Sequence, residues 1–225
     1  MSVLSPQAFR AAVLAAGIAL VAPGAGRGAE FSAGGYLFSD ELGGFRLLSA
    51  RGGGTPDDPV VLVEEIYDIA PATLVIRDLN LVAGRPLQAQ LTLVKRVTNR
   101  SVRVWAAFEM ELQEIKGKPS IYSDGLSFKQ FDSTNKDVSS DSFTKNERDF
   151  EPYDRIQFLD GHVDPDEVGE FKITITDPTP TPEFYLVQEP KLLSAGLPKA
   201  GPHFAANRPA DSDHAGERSC SDGKY

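Results

Sequence analysis

Apolar and polar positions alternate most regularly between Leu87 and Leu112. Leu87, Ala89, Leu91 and Leu93 alternate with Gln88, Gln90 and Thr92. After the polar stretch Thr98-Asn99-Arg100-Ser101 the alternation resumes. One face then carries Val102, Val104, Ala106, Phe108, Met110 and Leu112, and the other Arg103, Trp105, Ala107, Glu109, Glu111 and Gln113. A sustained two-residue period marks a strand with one buried face, and a helix does not produce it. Two such runs joined by a short Asn-containing turn predict a long antiparallel hairpin.

Shorter runs bounded by breakers extend the pattern. Phe45-Arg46-Leu47-Leu48 follows Gly43-Gly44, Val60 to Val63 follows Pro59, and Thr73-Leu74-Val75-Ile76 lies between Pro71 and Gly84-Arg85-Pro86. Phe171, Ile173 and Ile175 alternate with Lys172, Thr174 and Thr176. The prolines at 178, 180 and 182 then force an extended link before a last strand at Phe184 to Val187, because proline blocks helix and removes ladder donors. Strands without intervening helices predict an all-β fold, an antiparallel sandwich of about seven or eight strands.

The series Asp154 to Phe158, Asp164-Pro165-Asp166-Glu167 and Phe171 to Asp177 resembles the closing hairpin of immunoglobulin-like or fibronectin-type domains. With Phe38 to Phe45 and Pro178 to Pro182, the stretch 36–190 resembles uncharacterised exported bacterial proteins. The resemblance implies an immunoglobulin-like sandwich and carries no catalytic motif. The paired cysteines of antibody domains are absent, since Cys220 is the one cysteine.

The two ends differ from the middle. Residues 1–29 read as a signal peptide: Arg10, the apolar run 11–22, Pro23-Gly24, then small residues. That run is shorter than the roughly 20 apolar residues a membrane span requires. Residues 194–225 are rich in Ala, Gly, Pro, Asp and Ser with balanced charges, and read as a disordered tail around Cys220. A single domain over 30–193 therefore carries the chain's negative charge, net -9 overall. An acidic balance of this kind argues against a nucleic-acid partner, because neutralising phosphates needs a basic face. Within that domain, 116–153 is a long polar insertion dotted with Ile121, Tyr122, Phe128, Phe131, Phe143 and Phe150, whose spacing predicts packing against the sandwich.

Candidate chemistry is sparse. No nucleophile elbow or phosphate-binding glycine loop is present, and Gly52-Gly53-Gly54 leads into Thr55-Pro56. His162 sits in the Asp160-Gly161-His162 turn, and the other two histidines fall in the tail. The chain is therefore expected to be non-enzymatic and to need no cofactor. Asp160, Asp164, Asp166 and Glu167 crowd one turn, where oxygen ligands for calcium are conceivable, against the reading of an ordinary solvated turn. The hairpin register puts Trp105 on the polar face beside Arg103 and Glu109. There it either anchors a glycan or protein, with Tyr122 as a second aromatic, or is covered by the 116–153 insertion.

The function expected from these residues is an exported structural or interaction module facing an unknown protein or glycan surface. A carbohydrate-binding module, calcium-assisted or not, is the alternative. N-terminal sequencing of secreted or periplasmic material is expected to place the mature terminus within residues 25–30; an intact Met1 in a cytoplasmic fraction overturns export.

Overall fold

The computed structural model describes residues 28–84, 90–121, 123–129, 137–148, 150 and 152–192. The signal-like segment up to residue 27, Tyr122, Phe131 and the tail from 193 lie outside the described residues. Two β-sheets face each other. The first contains β1 (Glu30–Ala33), β2 (Tyr36–Ser39), β5 (Ala72–Asp78), β13 (Glu183–Lys191), β7 (Ala107–Gln113), β11 (Arg155–Gly161) and β10 (Phe143–Glu147), in that spatial order. The second runs β3 (Phe45–Arg51), β4 (Val60–Ile66), β6 (Gln90–Asn99), β12 (Val168–Thr176), β8 (Ser127–Phe128), with β9 (Ser139–Ser140) also on β12. A single helical turn, α1 (Leu79–Val82), follows β5, its first amides capped by the Asp78 carboxylate. No helix among the described residues is long and apolar enough to cross a membrane.

Each run anticipated as a strand coincides at least in part with β3, β4, β5, β6, β7, β11, β12 or β13, but thirteen strands, not seven or eight, occur among the described residues. The additional ones have four or five residues or only two, too short to establish a period. Residues 116–153 contribute β8, β9 and β10 and bury Phe128 and Phe143. The insertion is thus part of the sandwich at both sheets, as its spaced aromatics predict.

Both anticipated hairpins are wrong. β6 pairs with β4 and β12, whereas β7 pairs with β13 and β11 in the opposite sheet. Likewise β11 and β12, read above as a closing hairpin, belong to different sheets. In each case the short connection carries the chain across the end of the sandwich. The true two-residue hairpin is β1–β2, where Gly34 and Gly35 both take positive φ, the backbone a tight primed turn demands. Among the described residues one ladder is parallel: β4 and β6 run the same way, Val60 opposite Leu93 through Ile66 opposite Asn99. Their connection passes through β5 in the other sheet, since a parallel pair requires a long crossover.

Alternation decides which side chains fill the space between the sheets. Leu74 and Ile76, Phe108, Met110 and Leu112, Ile156 and Phe158 point in from one sheet. Leu62, Leu91, Leu93, Phe171 and Ile173 answer from the other. Phe171 is the hub, its ring 4.6 Å from Phe108, 5.0 Å from Phe158 and 5.9 Å from Phe143. On the outer face Glu109 lies 3.5 Å from Arg155 and 3.7 Å from Lys191.

Phe108→Ala is expected to open a cavity beside Phe171 and cost roughly 3–5 kcal/mol. Glu109→Ala, which loosens partly exposed ion pairs, is expected to cost less than about 1 kcal/mol. Urea melts of the two variants check the facing of β7, and the reverse order of stabilities overturns it.

Candidate functional site

One end of the sandwich is built around Asn99, the last residue of β6. Its buried side chain donates from Nδ2 to the carbonyls of Arg103 (2.8 Å) and Val163 (3.0 Å). Its Oδ1 accepts from the Ser101 amide (3.0 Å) and hydroxyl (2.6 Å). The Ser101 hydroxyl oxygen in turn accepts from Trp105 Nε1 at 3.2 Å. Trp105 also exchanges two backbone hydrogen bonds of 3.0 Å with Val163. Segment 100–106, without a ladder of its own, is fixed by these bonds.

This network corrects the register anticipated for Trp105. The ring is 0% exposed and packs 5.6 Å from Phe108, so no face remains for a sugar. Val104, assigned above to the core, is exposed instead. The irregular segment shifts the phase between Trp105 and Phe108, and alternation counted straight through it comes out inverted. Tyr122, the second aromatic considered, lies outside the described residues.

The same network holds up what does face solvent. Val102 is 90% exposed at the tip of the turn, and Val104, Val168 and Tyr67, which lie at or next to the same end of the second sheet, are exposed as well. The Arg100 amide donates to the Ile66 carbonyl at 2.8 Å and so brings the β4–β5 loop alongside. Arg100 pairs with Glu65 at 2.9 Å and Asp166 at 2.7 Å, forming a charged rim beside the valines.

The acidic turn lies at this end, and two of its carboxylates already have partners. Asp166 is committed to Arg100, and Glu167 accepts from the Asp164 amide at 3.2 Å. Asp160 and Asp166 adopt the left-handed backbone that short polar residues tolerate. His162 is exposed, with Nε2 4.0 Å from Asp164. Among the described residues no group of three or more His, Cys, Asp or Glu is placed to hold a metal ion. The calcium reading of Asp160, Asp164, Asp166 and Glu167 gains no geometry from the fold.

A second polar constellation sits inside the core. Glu64 on β4 and Lys95 on β6 are both fully buried and form an ion pair between Glu64 Oε1 and Lys95 Nζ. Glu64 Oε2 accepts from Gln188 Nε2 of β13 at 2.9 Å, so the group reaches from one sheet to the other. Burial pushes the Lys95 ammonium below the usual lysine range, opposed in part by Glu64. The sequence reading passed over all three residues. Carrying the period of Leu91 and Leu93 two residues on reaches Lys95, and that of Val60 and Leu62 reaches Glu64. Two opposite charges at core positions of neighbouring strands were the available signal.

A third place is acidic. Asp154, nearly fully buried, ties the insertion to β7: its amide donates to the Ser120 carbonyl (3.1 Å) and its carbonyl accepts from the Leu112 amide (3.0 Å). Its Oδ2 has no hydrogen-bond partner among the described residues. Burial, with Asp124 nearby, pushes the carboxyl up from 3.8 to about 7. Burial also raises Asp177, which lines a hollow with Tyr36, Asp78 and Thr181 that has room for about one water molecule.

No family model, no curated protein and no solved structure matches the chain.

The raised Asp154 carboxyl fixes a pH dependence. A folded state that holds a proton more tightly than the unfolded chain loses stability as pH rises between the two pKa values. Thermal melts are therefore expected to show stability falling from about pH 4 to about pH 7, at no more than about 1.4 kcal/mol per pH unit from this group. Asp154→Asn is expected to flatten that slope, and a slope unchanged in the variant shows that Asp154 does not carry it.

Proposed function

We propose that the chain is an exported, non-enzymatic interaction module of the immunoglobulin-like kind. Its contact surface is the end of the sandwich bearing Tyr67, Val102, Val104 and Val168. The observation that carries this reading is Val102, exposed at the tip of a turn whose every anchor is buried and hydrogen-bonded. Loops held by a rigid scaffold are where β-sandwiches place recognition, and exposed apolar groups ringed by charge mark contact surfaces. Branched aliphatic side chains inside the Arg100–Glu65–Asp166 rim have the make-up of a protein interface with an apolar centre and polar margin. With Trp105 in the core, the carbohydrate-binding alternative loses the aromatic on which it rested.

A photo-reactive residue at position 102 of the full chain, in cells that naturally make the protein, tests this. The expected result is a protein adduct of one discrete mass that disappears when Val104→Asp is added. The same residue at exposed Val82, beyond the far end of β5, is expected to give none. No adduct at 102, or equal adducts from both ends, overturns the proposal. Val104→Asp is expected to change stability by less than about 0.5 kcal/mol, as exposed positions do, so loss of the adduct does not reflect unfolding.

A further inference from the structure

We propose that Lys95 and Gln188 are the partners of an intramolecular amide bond, formed by attack of Lys95 Nζ on the Gln188 carboxamide with Glu64 as acid–base catalyst.

The geometry of the buried group carries this. One carboxylate touches both the nucleophile and the leaving group: Glu64 Oε1 meets Lys95 Nζ, and Glu64 Oε2 accepts from Gln188 Nε2 at 2.9 Å. The Gln188 carbonyl oxygen is buried without a hydrogen-bond partner among the described residues. All three side chains are fully shielded from water, so hydrolysis does not compete. Lys95 and Gln188 stand on facing sheets, on β6 and β13, and the fold holds an otherwise dilute amine and amide together.

Burial supplies the reactive state. Transfer of a proton from Nζ to Glu64 Oε1 across their contact frees the amine lone pair, and a neutral desolvated lysine is a nucleophile. The step balances without any outside reagent. The Nζ lone pair forms a bond to Gln188 Cδ while the carbonyl π pair moves onto Oε1 and the proton of Glu64 passes to Nε2. The carbonyl then re-forms as the Cδ–Nε2 bond breaks and ammonia leaves. Glu64 takes the surplus proton from Nζ and is restored to the acid. An amine and a primary amide have become a secondary amide and ammonia, with no change of oxidation state. The product replaces a buried ion pair, costly to desolvate, with a neutral link across the core.

Mass analysis of the full-length purified chain decides the matter. The bond removes one ammonia, a loss of about 17 Da. Trypsin digestion of the denatured chain is expected to give a branched peptide joining residues 78–96 to 173–191, uncut at Lys95. Glu64→Gln keeps the volume but not the proton transfer, and is expected to lower the branched yield at least about tenfold, the scale on which general acid–base catalysis acts. A wild-type digest containing only linear 173–191 with unmodified Gln188 overturns the proposal, as does full branching in Glu64→Gln. The wild-type digest stands whether or not the variant folds. It is also independent of the contact surface around Val102.

Discussion

The structure turns on a lysine that is nowhere near water. Lys95 lies in the middle of β6, and Glu64 on the parallel neighbour β4 meets its ammonium. Taking either charge out of water alone costs several kcal/mol, and only a close opposite charge with further hydrogen bonds offsets it. Each charge therefore makes the other obligatory, and the pair fixes how β4 and β6 lie against each other. A slip of one residue along that ladder would send one charge to the outer face and strand its partner inside. Hydrophobic pattern alone sets register less sharply, because Val60, Leu62, Leu91 and Leu93 are close to interchangeable.

Gln188 extends that constraint from one sheet to two. Its amide reaches Glu64 from β13, the strand between β5 and β7 in the first sheet. Around this polar group the packing is aromatic and aliphatic, with Phe171 of the second sheet touching three rings of the first, one of them from the insertion. The division of labour follows from the physics: apolar burial supplies most of the driving force without direction, and the charged pair supplies direction. β10, from the insertion, adds Phe143 to the hub, so 116–153 is structural at that point rather than an appendage.

The strand positions were legible because burial on one face writes a two-residue period into the sequence, as at Leu91, Leu93, Phe108, Met110 and Leu112. Strand partners were not legible. A short polar connection such as Thr98 to Ser101 looks the same whether it folds a strand back on its neighbour or carries it to the opposite sheet. The difference is made by Asn99 and Val163, residues 64 apart whose side chain and carbonyl meet, and no local pattern records that. Glu64 and Lys95 failed to register for a related reason. Charged residues are read as surface by default, and only the pairing of β4 with β6, with Lys95 opposite Leu62 and Glu64 opposite Val97, shows that the two charges meet diagonally across the ladder. Trp105 and Val104 were assigned to the wrong faces because the period was counted across a segment that is not a strand.

That segment, 100–106, shows how core and surface are coupled in this protein. Trp105 enters the core and its indole nitrogen is satisfied by Ser101, which is held by Asn99 at the end of β6. Three buried polar groups thus satisfy one another across the point where the chain crosses between sheets, where a lapse would leave an unpaired donor at a cost of about 1–3 kcal/mol. Val102 sits between these anchors in sequence but has no contact of comparable weight, which is why it can stand almost wholly in solvent while the residues near it are fixed. The bonds that let the chain change sheets also present the valine, so the rigidity of the exposed turn is a consequence of how the sandwich is closed.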